Sequence, residues 1–314
     1  MNINKRAAVL SLLDDSTPQN YIPAAFFLHF DPQYHFGQAA IDKHLEYFKA
    51  TGMDLVKIQY ELRLPETIKS IDDWAKLPLY GKDFYATMLG VVDGLVKTAK
   101  AEAVVVLTLY SAFMLAGQAA GGQEVVTAHL KADPEKVKKG LEIITESMHI
   151  FTDACFELGL DGFYASTQGR ETFRFEDPAV FDEYIKPCDL AVLEDINAKG
   201  VFNILHVCDY AGSYDDLTPF VPYPGDVVNA SLVVDNRLLS PEDLSVLFGR
   251  PFMGGLDRHG VLATGPTEAI EKRVLEILES APDKFFLAAD CTVPSETPWE
   301  NLKAAIDTAH NYRR

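Results

Sequence analysis

Three residues in this sequence have the types and positions to hold a metal ion. His206 and Cys208 close the apolar run Ile204-Leu205-His206-Val207-Cys208, and residues two apart on a strand point to the same side. A third soft donor, Cys291, follows the apolar run that ends at Ala289. One imidazole nitrogen and two thiolates suit Zn²⁺. Three protein ligands leave a fourth position for water or substrate, which favours a catalytic ion over a structural one. Alone, a His-x-Cys pair is also what a buried thiol beside a hydrogen-bonded core histidine looks like, and the match with a cysteine past a second strand favours the metal. Asp235 reads either as an occasional fourth ligand or as a turn residue in Asp235-Asn236. Asp257, which opens Asp257-Arg258-His259-Gly260, could accept a proton or orient a ligand, with an ion pair to Arg258 as the competing use.

Those side chains need a scaffold to bring them together. Eight short β-branched and aromatic runs, at residues 22–28, 55–59, 103–109, 162–165, 202–205, 227–233, 251–255 and 285–289, alternate with helical patterns. Such alternation predicts parallel strands joined by helical crossovers. Helices are expected over residues 134–158, opened by Asp133-Pro134 and stopped at Gly159, over 178–199 with Gly200 as the stop, and from 298 to about 312. No linker, repeat or composition shift divides residues 1–314, so the expectation is an α/β chain folded as a single (β/α)₈ barrel domain with its site at the C-terminal strand ends. His29, Tyr60, Tyr110, Ser166 and Gln168 fall at the same ends as the candidate ligands.

Of 314 residues, 48% are hydrophobic and 24% charged, which allows a sizeable core and excludes disordered and fibrous classes. A net charge of −18 repels nucleic-acid phosphates and anionic lipid, so neither nucleic acid nor membrane is an expected partner. Residues 103–123 carry no charge, but Thr108, Ser111, Gln118, Gln123 and Gly121-Gly122 break the stretch. It reads as a buried strand running into a mobile, lid-like loop, and its glycines lack the Lys and Ser/Thr of a phosphate-cradling loop. Lys5-Arg6 precede only a short apolar run before Asp14-Asp15. That is not a secretory signal, and a cytoplasmic location is the default expectation. Cys155 and Cys188 fall inside expected helices as small core residues, and four cysteines in a chain this long do not make a disulfide framework.

The His206-x-Cys208 ending, the segment Phe252-Met253-Gly254-Gly255-Leu256-Asp257-Arg258-His259-Gly260, and the tail Asp290-Cys291-Thr292-Val293-Pro294 with Thr297-Pro298 resemble the uroporphyrinogen decarboxylase superfamily. The likeness is greatest to its zinc-dependent branch, with the methylcobamide:coenzyme M methyltransferases. The resemblance implies a (β/α)₈ barrel, Zn²⁺ on His206, Cys208 and Cys291, a homodimer, and methyl or alkyl transfer in which zinc activates a small-molecule thiol or polarises a methyl donor. The chain departs from the decarboxylases themselves, whose arginine-rich first loop is replaced by Phe30-Asp31-Pro32-Gln33-Tyr34-His35-Phe36-Gly37, with no arginine between Arg6 and Arg63. It also lacks the last glycine of the Asp-x-His-x-x-Gly cobalt signature, where Leu262 stands, so any cobalamin is expected on a separate corrinoid protein. The competing functions are a decarboxylase or lyase acting on a small carboxylated substrate, and a non-catalytic tetrapyrrole-binding barrel.

Overall fold

A computed structural model of the protein describes residues 3–14 and 16–313. Seven of the eight expected runs form one parallel sheet: β1 (Leu55–Ile58), β2 (Val104–Tyr110), β3 (Gly162–Thr167), β4 (Ile204–Val207), β5 (Val227–Ala230), β6 (Phe252–Leu256) and β7 (Phe285–Ala289), paired in chain order. Every strand residue except Tyr110 is buried. Burial of both faces is why these runs are nearly continuous in apolar residues instead of alternating.

The eighth run departs from expectation. Residues 22–28 make one bridge, Ala24 to Leu287, and do not form a strand. Pro23 has no N–H to give to a ladder. The extended segment nonetheless meets both edges of the curled sheet: Leu287 donates to the Pro23 carbonyl at 2.9 Å, Ala25 donates to that of Leu287 at 3.1 Å, and Asp54 donates to that of Ala24 at 3.0 Å.

Crossover helices bury one face each. In Thr267–Glu279 the buried residues are Ile270, Val274, Ile277 and Leu278, a single stripe at helical spacing. Helix Pro134–Glu157 starts as expected, the Asp133 carboxylate accepting from Lys136 N–H at 3.4 Å. The expected 178–199 helix is present from residue 179 to Lys199, with one widened turn inside it. Pro187 cannot donate back one turn and its ring crowds the carbonyl four residues earlier, so a wide turn over Phe181–Ile185 precedes helix Lys186–Lys199. The expected mobile loop after β2 is instead helix Ala112–Ala120, and a second helix, Gln123–Ala132, begins where that stretch ends. Ser111 caps the first by accepting from Met114 N–H at 3.3 Å, and Gly121, at φ +81°, ends it. This helix carries no charge because it is buried on most sides. Among the described residues no helix is long and apolar enough to cross a membrane.

At the N-terminal ends of the strands, buried acids are fully engaged. Asp161 takes two hydrogen bonds from Arg6, at 2.5 and 2.8 Å, and one from Val105 N–H at 2.9 Å, with Lys100 at 3.2 Å. Asp54 accepts from Tyr21 and from Ala24 N–H and meets His310 Nε2 at 2.8 Å.

Candidate metal centre

The C-terminal ends of β4 and β7 bring His206, Cys208 and Cys291 together, with one ligand atom of each within 4.8 Å of the others. Alternation places His206 and Cys208 on one side of their strand, and Cys291 lies just past β7. All three are at most 8% exposed.

Two observations bear on whether a metal fits. Both ring nitrogens of His206 are buried without a partner, an arrangement that costs about 1–3 kcal/mol per group when nothing compensates it. The sulfurs of Cys208 and Cys291 are 4.0 Å apart, and two thiolates on one tetrahedral zinc would stand about 3.8 Å apart. The donor set therefore fits Zn²⁺. The hydrogen bond from Cys208 holds Cys291 well below the ordinary thiol range, against burial and with help from His206 and Arg258. The same bond, with burial, pushes Cys208 well above it.

Other buried polar residues surround the three donors. Lys57 on β1 donates to Thr108 at 3.0 Å and Gln59 at 3.1 Å, with its ammonium 4.7 Å from the Phe27 ring centre and 4.6 Å from that of Tyr164. Burial lowers its pKa to about 8, against the fields of Cys291, Glu61 and Cys208. The Tyr164 ring lies 4.8 Å from that of His206, and its hydroxyl donates to Asn229 at 2.5 Å. Asn229 in turn donates to the Met253 and Ala289 carbonyls, so its amide orientation is settled and the Tyr164 ring is anchored beside the imidazole. Sequence reasoning missed Lys57 and Asn229. The available signal was a single polar side chain inside an otherwise apolar strand.

The remaining expected residues separate. Asp235 is not brought to the three donors. With Asn236 it forms the turn between the short antiparallel strands Val233–Val234 and Arg237–Leu238, at φ 50° and 57°, a conformation Asp and Asn tolerate. Its carboxylate is half exposed, 3.8 Å from Arg237. Asp257 is exposed and accepts from His259 N–H at 2.8 Å. Arg258 pairs not with Asp257 but with Asp209 at 2.7 Å and Asp290 at 3.2 Å, so it ties the residue after one cysteine to the residue before the other. Burial raises Asp290 to about 6. A cleft of about 480 Å³ opens here, walled by Asp209, Asp257, Arg258, His259 and Asp290. Gly255, at φ +107°, bends the end of β6 beneath it, where a Cβ would sit 2.8 Å from Ile277. His29 and His35 have local partners, the Glu61 carboxylate at 2.8 Å and the Phe30 carbonyl at 2.9 Å.

Comparison with known proteins adds to this geometry. No curated protein matches the sequence. A methyltransferase from Methanosarcina mazei has a similar structure, with a TM-score of 0.75 at 15% identity, covering 98% of each chain. A B12-independent methionine synthase from Shewanella sp. aligns with a TM-score of 0.55 at 11% identity, over 92% of this chain and 95% of that one. A Bacteroidetes-affiliated GH5 cellulase gives 0.51 at 12% identity, over 97% and 94%, and similarity at these identities speaks of fold. The sequence pattern described as uroporphyrinogen decarboxylase (URO-D) matches residues 47–312, a span that holds all seven strands and all three candidate ligands. The chain belongs to the uroporphyrinogen decarboxylase family.

Proposed function

We propose that this protein is a zinc-dependent methyl or alkyl transferase, with the ion held by His206, Cys208 and Cys291. One observation carries the reading: three soft donors converge in a buried site where both imidazole nitrogens lack a partner. Zinc bound there would supply acidity to a coordinated thiol, keeping it deprotonated at neutral pH. The protein's residues do the rest. Two cysteine anions offset the ion's double charge, so an added thiolate keeps its donor strength, and Lys57 contributes a buried positive charge that limits the excess of anions. Asn229, acting through Tyr164, orients His206. Asp257, on the cleft wall, is placed to take or give a proton.

The methyl source approaches through the cleft beside Asp209 and Asp290, and any corrinoid is carried by a separate protein. Segment 22–28 completes the ring as an eighth, irregular member. The similar structures described as a methyltransferase and a methionine synthase support methyl transfer. Porphyrinogen decarboxylation is disfavoured because residues 30–37 offer no cation for a polycarboxylate, while Arg6 is committed to Asp161 at the opposite end of the sheet.

Elemental analysis of the purified chain tests the proposal, with one zinc per chain expected and lost in Cys208→Ala. A panel of thiols is then assayed for zinc-dependent demethylation of methylcobalamin. A chain that neither carries zinc nor takes it up at one equivalent overturns the reading.

A further inference from the structure

A chain of buried and half-buried polar side chains runs from Cys208 to Arg174. Gln168 Nε2 lies 3.3 Å from the Cys208 sulfur, and Gln168 Oε1 accepts from Gln123 Nε2 at 2.5 Å. Gln123 Oε1 accepts from Arg174 at 2.9 Å, and Arg174 also donates to Thr127 at 3.1 Å. Glu171 pairs with the Arg174 Nε and takes Gly169 N–H at 3.1 Å. Gln168, Glu171 and Arg174 are each no more than 2% exposed, and the guanidinium sits 4.8 Å from the Phe113 ring centre.

The direction of this chain is settled by its far end. A guanidinium can only donate, so the oxygen of Gln123 must face Arg174 and its NH₂ must face Gln168. That takes up the Gln168 oxygen and leaves its NH₂ aimed at sulfur. We propose that Gln123, Gln168 and Arg174 are positioning residues which hold an N–H donor against Cys208, stabilising its thiolate and drawing electron density from it when a metal is bound. The inference rests on the metal reading above.

The test uses cobalt(II) in place of zinc and reads the sulfur-to-cobalt charge-transfer absorption of the full chain. Removing an N–H donor from a thiolate makes the sulfur easier to oxidise and moves this band to lower energy. Gln168→Leu should shift it that way and weaken metal affinity about tenfold in chelator competition. Gln168→Met matches the glutamine in length and offers no N–H to sulfur, so it should shift the band in the same direction and covers the case in which the leucine variant does not fold. Gln123→Leu, which touches no sulfur, should give a smaller shift of the same sign. An unmoved band in the Gln168 variants, or in Gln123→Leu, overturns the proposal while leaving the metal site standing. No band in the wild-type chain means the metal reading itself has failed.

Discussion

Two buried polar clusters at opposite ends of the strands are handled in opposite ways. At the N-terminal end, Asp161 has two bonds from Arg6, one from Val105 N–H and Lys100 within reach, and Asp54 has three partners. At the C-terminal end, His206 is just as buried, yet neither ring nitrogen has a partner, and its neighbours are two free thiols. A buried polar group without a partner lowers stability, so the first end is built to hold strands in place and the second leaves donors available to a ligand. The two clusters also differ in chemistry: hard carboxylates with fixed cations around Asp161 and Asp54, soft nitrogen and sulfur at His206, Cys208 and Cys291.

The sharpest break between the ends should come from deleting one group at each. Cys291→Ala is expected to lower zinc affinity and turnover more than about a hundredfold, beyond what loss of a supporting residue does, and to leave urea unfolding nearly unchanged when both chains are compared free of zinc. Asp161→Ala should do the reverse, losing about 3–5 kcal/mol of stability by stranding Arg6, with one zinc still held per folded chain. Equal losses of stability in both variants would erase the distinction.

A second test asks whether the free donors serve a thiol. Binding of the thiol substrate near neutral pH should release about one proton per site, because a free thiol with a pKa of about 8.5 is mostly protonated there and its metal complex is not. Calorimetry in buffers of different ionisation enthalpy counts that proton, and Cys291→Ala should abolish it. Thiol-dependent turnover with no proton released would reject the mechanism.

Asp189 lies outside both clusters and shows what partial satisfaction does. Its Oδ2 accepts from Thr167 at 2.6 Å and Tyr223 at 3.2 Å, while Oδ1 has no partner, and burial raises its pKa to about 7. Below about pH 7 the neutral acid is therefore the form the folded chain holds. Its contribution to stability is complete below about pH 4 and is lost as pH rises through about 7. Asp189→Asn, whose amide replaces the protonated oxygen, should remove that decline and gain on the order of 2 kcal/mol over wild type at pH 8 relative to pH 5, measured by urea unfolding at both values. A wild type and variant with parallel pH profiles would show that the carboxyl is ionised throughout. The smallest effect belongs to Asp235→Ala, within about 0.5 kcal/mol in stability as for an ordinary surface site, and with zinc content unchanged. A loss of zinc there would return Asp235 to the ligand set.

Seven of the eight expected strands and the three donors were legible in the sequence. Runs such as Phe285–Ala289 are apolar throughout because both faces are covered, and that continuity is visible without a structure. His206, Cys208 and Cys291 were legible because few other roles place soft ligands immediately past two apolar strands. Cys155 was legible too, as a small core residue of a helix. Tertiary structure decided what depends on contacts between residues far apart in the chain. It separated Asp235 from the donors, since a two-residue turn and a ligand use the same residue type. It gave Arg258 to Asp209 and Asp290 instead of its neighbour Asp257. It turned an uncharged stretch expected as a loop into a buried helix capped by Ser111. Lys57, Asn229 and Gln168 acquire their roles only in three dimensions. A polar side chain in an apolar strand signals that a partner exists, but the partner, whether Thr108 for Lys57 or the Met253 and Ala289 carbonyls for Asn229, is set by how the sheet curls and not by local sequence.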